Sequence, residues 1–186
     1  MRKLLARLIT MVIPPVKMYD ASTPDVSLPA DAKIVAGYIG GDTPHVWTYS
    51  QWRFFGRLKK LPIYVVSNPS GRNATQDAFD CLMRLFVLGV PKGSPVVLDL
   101  ETAIDAPYVH GFYQVIKWAG YKLWVYGSLD FVVRNPPCDG YWVADYTGVP
   151  HMAITGFTKA TQYATGLKWD FSLVKYWQYR WVLRTW

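Results

Sequence analysis

From Val16 onward the apolar positions fall into short blocks of two kinds, and the two kinds alternate. Val16–Asp20, Ile34–Gly40, Leu61–Ser67, Pro95–Glu101, Tyr121–Gly127, Gly140–Asp145 and Ala160–Ala164 are β-branched or aromatic and bounded by Gly, Pro, Asn or Asp, so they read as strands. Between the early ones the apolar period lengthens to that of a helix. Thr48-Tyr49-Ser50-Gln51 has the form of a capping box, in which each end satisfies the other's free backbone N–H, and Trp52, Phe55 and Leu58 follow at three-residue spacing. From Thr75 to Leu88 an apolar stripe of Phe79, Leu82 and Phe86 predicts a second helix, stopped by Gly89. Asp105 caps a third, which turns Val109, Phe112, Ile116 and Ala119 inward and ends before Gly120.

Strand, helix, strand in repetition implies parallel strands joined by right-handed crossovers. The expected fold is α/β: a short, irregular TIM-like (β/α) barrel. At 186 residues the chain is well below the roughly 250 of a full eight-fold barrel. Beyond Tyr121 strands continue while long helices vanish, which predicts a helix-poor C-terminal half. No linker and no repeat interrupts residues 16–186, so they read as one domain, preceded by a basic, apolar arm at residues 1–15.

Composition changes little in this picture. With 51% hydrophobic and 18% charged residues the chain is globular, not disordered. Nine Trp and thirteen Tyr would suit stacking on sugar rings, and would equally fill a core. The net charge of +7 is spread without a long basic run, so it selects no partner by itself, and no specific nucleic-acid motif is present. Cys81, Cys138, His45, His110 and His151 are too dispersed for a metal site, and no metal or cofactor is expected. The arm MRKLLARLITMVI is too short to span a bilayer, and Arg7 breaks its apolar run before any cleavage site, so neither a transmembrane segment nor a convincing signal peptide is read there.

Chemistry in parallel α/β folds gathers at the C-terminal ends of strands, so acids at those ends carry information. Asp20 ends the first strand, Asp99 and Glu101 the fourth, and Asp145 the sixth; Asp170 lies in Trp169-Asp170-Phe171-Ser172. Residues two apart on a strand share a face, so Val97, Asp99 and Glu101 face one way and Leu98 and Leu100 the other, toward the helices. Two acids crowded on an apolar strand raise the pKa of at least one. That supplies a protonated acid beside an ionised carboxylate, the pairing used in glycoside hydrolysis. The plainer alternative is that Asp99 caps a loop and Glu101 pairs with a basic neighbour.

Taken in order, Tyr19-Asp20-Ala21-Ser22, Asp99-Leu100-Glu101, Tyr141-Trp142-Val143-Ala144 and Gln162-Tyr163 with Gly166 and Asp170 resemble family 25 glycoside hydrolases, the lysozyme-type muramidases. Gly37-Tyr38-Ile39-Gly40-Gly41 with His45-Val46-Trp47-Thr48 resembles the divergent glycoside-hydrolase-like proteins of actinobacteria and their phages. The likeness covers roughly Val16 to Val174. It implies muramidase-type cleavage of a β-1,4 glycan of peptidoglycan without a cofactor, with Glu101 as acid/base, Asp99 beside it, and Asp20 and Asp170 supporting. Tyr38, Trp142, Asp145, Gln162 and Tyr163 are the implied substrate-facing residues. A non-catalytic virion component is the rival: it would hold wall glycan, or other virion proteins through residues 1–15 and the Trp-rich tail. The expected location is the virion or the bacterial cell wall.

Overall fold

The structure, a computed structural model, describes residues 14–24, 27–56, 58–100, 105–134, 138–153 and 155–175. Among them eight strands close into a barrel in chain order. They are β1 (Val16–Asp20), β2 (Ile34–Gly41), β3 (Lys59–Val66), β4 (Pro95–Leu100), β5 (Lys122–Ser128), β6 (Gly140–Ala144), β7 (Thr158–Ala164) and β8 (Asp170–Val174). Neighbours from β1 to β7 pair in parallel. β8 is antiparallel to both β7 and β1 and closes the ring.

Helix α1 (Tyr49–Phe54) follows β2, α2 (Ala74–Val87) follows β3, α3 (Ala106–Trp118) follows β4, and α4 (Leu129–Arg134) follows β5. Among the described residues no helix follows β6 or β7, so the barrel is TIM-like with a thin C-terminal half, as the sequence predicts. The caps also match. Thr48 and Gln51 form the capping box of α1, Asp105 accepts from the Tyr108 N–H at 2.9 Å, and Gly89 and Gly120 hold the positive φ of helix stops.

Two elements escape the sequence reading. α4 is a six-residue helix with no apolar period to announce it. β8 returns by a tight turn after β7, where a crossover would normally be sought.

The apolar side chains divide into two cores. One lies between the strands and the helices: Leu98, Leu100, Val109, Phe112 and Ile116 belong to it. The other fills the barrel, where Met18, Ile63, Val97, Trp124 and Trp142 interlock. The predicted stripe on α2 requires correction. Its buried face is Ala78, Cys81 and Leu85, while Phe79 and Phe86 are exposed. Small residues face inward because α2 lies close to its neighbour: a Cβ on Gly111 of α3 would sit 3.1 Å from the Ala74 side chain of α2. Phenylalanines on that face would hold the helices apart.

Residues 37–48 show why glycine recurs there. The Trp47 ring occupies the space beside Gly37, 2.5 Å from where a Cβ would stand, and the Trp47 N–H donates to the Tyr38 carbonyl at 2.9 Å. Gly41 has φ +90°, which ends β2 in a turn that a side chain would strain.

Candidate active site

Alternation along the strands decides what enters the barrel. On β4, Val97 and Asp99 point inward while Leu98 and Leu100 pack under the helices, as the two-residue period requires. The same parity brings in Asp20 from β1, Tyr38 from β2, Tyr126 from β5, Trp142 from β6, Gln162 from β7 and Asp170 from β8. Together they line a solvent-open cavity of about 500 Å³ at the C-terminal end of the strands, floored by Ile63. The volume suits one or two sugar rings.

Three carboxylates share this cavity. Asp20 and Asp170 stand directly opposite each other on antiparallel β1 and β8, where side chains approach to about 5 Å. Asp99 faces them from β4. Burial holds the Asp20 carboxyl well above the usual carboxylate range, and the charges of Asp170 and then Asp99 push it the same way. Its Oδ2 is buried without a hydrogen-bond partner among the described residues. A charged oxygen there would be costly, so the neutral acid is favoured. Asp170 is raised mainly by its burial, opposed by hydrogen bonds from the Gly166 N–H and Gln162. The carboxyls are therefore made unequal by their surroundings.

Acids outside the cavity are treated differently. Asp42 and Asp77 share Arg72, and Asp80 binds Arg84. Arg72 ties the loop after β2 to α2, while Asp80 and Arg84 pair within α2 and reach the barrel through the Tyr64 hydroxyl and the Ile39 carbonyl.

The aromatic wall is partly foreseen. Trp142 donates Nε1–H to Ser172 Oγ at 3.1 Å and meets the Tyr126 ring edge-on at 5.0 Å. Tyr126 and Tyr146 hydrogen-bond through their hydroxyls at 2.9 Å. Burial comes first in raising both phenols above the ordinary value, and the charges of Asp99 and Asp20 add to it in both, with Asp170 acting on Tyr146 as well. Neither tyrosine was singled out from sequence. Tyr126 was within reach, since it is the inward residue opposite Asp99; Tyr146 lies in a loop and carries no such signal.

Two expected substrate-facing residues lie elsewhere. Tyr163 follows Gln162, so it points out of the barrel and packs near Phe171. Asp145 lies one residue past β6, and its carboxylate binds His151 Nε2 at 2.8 Å, outside the cavity lining. Glu101, the expected acid/base, lies outside the described residues. Among those residues no group of His, Cys, Asp and Glu has the arrangement of a metal site. Cys81 and Cys138 are buried and free, and burial pushes the Cys138 thiol up to about 11.

No family model matches the sequence, and no curated protein matches it significantly. Solved structures do match. An uncharacterized B. stearothermophilus protein superposes with a TM-score of 0.75 at 15% identity, over 90% of this chain and 100% of that one. A glycosyl hydrolase 25 of Streptococcus pneumoniae superposes at 0.69 and 10% identity, over 90% and 92%. The fold is that of glycoside-hydrolase family 25. The modular Cpl-1 endolysin, solved with a peptidoglycan analogue, matches at 0.59 and 15% identity, over 87% of this chain and 54% of that one.

Proposed function

We propose that the protein is a peptidoglycan-directed glycosidase, a phage-encoded muramidase-type enzyme that cleaves a β-1,4 glycan with paired carboxylates. The observation that carries this reading is the set of three carboxyls, Asp20, Asp99 and Asp170, at one end of the barrel beside an open, aromatic-walled cavity. The peptidoglycan analogue bound by the structurally similar Cpl-1 endolysin supports the substrate class.

Hydrolysis needs a protonated acid at the leaving oxygen and a carboxylate near the anomeric carbon. Glu101 donates its proton to the glycosidic oxygen as the C1–O bond breaks, and Asp99 stabilises the positive charge that develops on the sugar. Water then adds its oxygen to C1 and returns a proton to Glu101, so the carboxyl ends as it began. Asp20, held neutral, donates a hydrogen bond to the bound sugar or to Asp170. Tyr38, Tyr126 and Trp142 stack on the C–H faces of the rings.

Zymography on purified cell walls tests the reading. Wild type clears the gel, and Glu101→Gln or Asp99→Asn lowers the rate by about 10²–10⁴-fold. No clearing by folded wild type would sink it. The second reading, a virion component that holds glycan without cutting it, draws on the basic, apolar sequences on either side of the barrel. It predicts wall binding with no clearing, and incorporation into particles that fails when residues 1–15 are deleted.

A further inference from the structure

The barrel end opposite the cavity is rimmed with lysine. Lys17 lies in β1, Lys33 just ahead of β2, Lys59 opens β3, exposed Lys92 lies ahead of β4, Lys122 opens β5, Lys159 is near the start of β7, and Lys175 follows β8. Backbone bonds place them side by side: the Lys33 N–H donates to the Lys17 carbonyl, the Lys59 N–H to Lys33, and the Lys175 N–H to Lys159. The positive charges of Lys175 and Lys122 reach Lys159 strongly enough to add to the lowering that its burial causes. Among the described residues two acids sit at this rim, Asp31 against Lys17 and Asp139 near Lys117.

The described chain begins and ends on this same face. Val16 pairs with Val174, so the barrel is entered and left at the lysine end. Residues 1–13 and 176–186 contain five Arg or Lys and no Asp or Glu, and they are rich in Leu, Ile and Trp.

We propose that the lysine end docks on a bilayer surface carrying anionic phospholipid headgroups. Clustered lysines beside a membrane are drawn to its negative surface potential. Tryptophan and aliphatic side chains, in which the sequences attached at this end are rich, favour the headgroup layer of a bilayer. That apolar content separates a lipid surface from a nucleic acid, whose phosphates would be met by basic and hydrogen-bonding side chains along a groove or helix. Docking this way turns the carboxylate cavity away from the membrane. The inference stands apart from the glycan reading, because the lysine end would act the same with an inert cavity.

Co-sedimentation of the full-length chain tests it, using vesicles of phosphatidylcholine alone or mixed with phosphatidylglycerol. The chain binds the mixed vesicles, not the neutral ones, and rising salt releases it. Reversing Lys33→Glu, Lys92→Glu and Lys175→Glu together weakens binding by at least on the order of 100-fold. Lys168→Glu, at the cavity end, leaves binding unchanged. Circular dichroism and an unaltered melting temperature establish that each variant is folded. If the triple variant misfolds, the exposed pair Lys33→Gln and Lys92→Gln takes its place, with a loss of about tenfold or more. Equal binding to both vesicle types, no binding by folded wild type, or unchanged binding by a folded variant overturns the proposal. So does capture by duplex DNA with the vesicles ignored.

Discussion

The same eight strands end in two unlike surfaces. At the C-terminal end of the seven parallel strands Asp20 and Asp99 converge inside the barrel with Asp170, which opens antiparallel β8, while at the other end lysines ring the outside. The difference lies in whether like charges are forced together out of water. The acids are confined within a cavity, and burial, with the charges of Asp170 and Asp99, pushes Asp20 toward its neutral form. Most of the lysines stay at a solvated rim, where repulsion is screened and each ammonium can swing away. The lysine end is strained too, at half-buried Lys159, but the fully buried Asp20 makes the cavity end the costlier one, and that is where a site is expected.

Mutation can sharpen this contrast. The largest effect belongs to what both ends share: Trp124→Ala hollows the inner core, where Trp124 is 1% exposed. The expected cost is about 3–5 kcal/mol in urea unfolding, with the cavity and the rim both loosened.

Asp20→Asn is expected to act in the opposite direction, stabilising by about 0.5–2 kcal/mol at neutral pH. The sign follows from the raised pKa. As pH climbs from about 4, unfolded Asp20 loses its proton while the folded form keeps it, so wild-type stability falls until the folded pKa is passed. Asparagine removes that slope, and unfolding curves taken across the range will show it; a destabilised variant with the slope intact would mean that Asp20 is a structural carboxylate.

The smallest effects are expected at the rim. Lys33→Gln or Lys92→Gln should change the unfolding free energy by no more than about 0.5 kcal/mol. A cost well above that would mean the lysines hold the barrel together.

Most of the architecture was legible because the strands of the first half are separated by helices with clear caps. Thr48, Asp105, Gly89 and Gly120 mark boundaries through local hydrogen bonding and φ, which depend on a few neighbouring residues. The α2 face was misread because bulk is a poor guide where two helices lie close: Phe79 and Phe86 face water while Ala78 and Cys81 fill the contact. β8 was missed because Asp170-Phe171-Ser172-Leu173-Val174 gains its meaning from pairing with β1, which sequence-local patterns do not encode.

Strand parity gave the inward Asp99, position near a strand end gave Asp20 and Asp170, and Tyr38, Trp142 and Gln162 came from the family resemblance; all six line the cavity. Tyr163 failed the same parity by one residue, and Asp145 by one position past its strand. Tyr146 reaches the cavity from a loop, where no period applies.

The antiparallel closing strand also sets a timetable. Asp20 is among the first barrel residues to leave the ribosome and Asp170 among the last, yet the two meet across the β1–β8 seam. A nascent chain that has made seven strands holds an open sheet with two unpaired edges, exposed to wrong partners until β8 is made. The carboxyl cluster comes into being with that final pairing, so any chemistry it performs is withheld until translation of the barrel is complete.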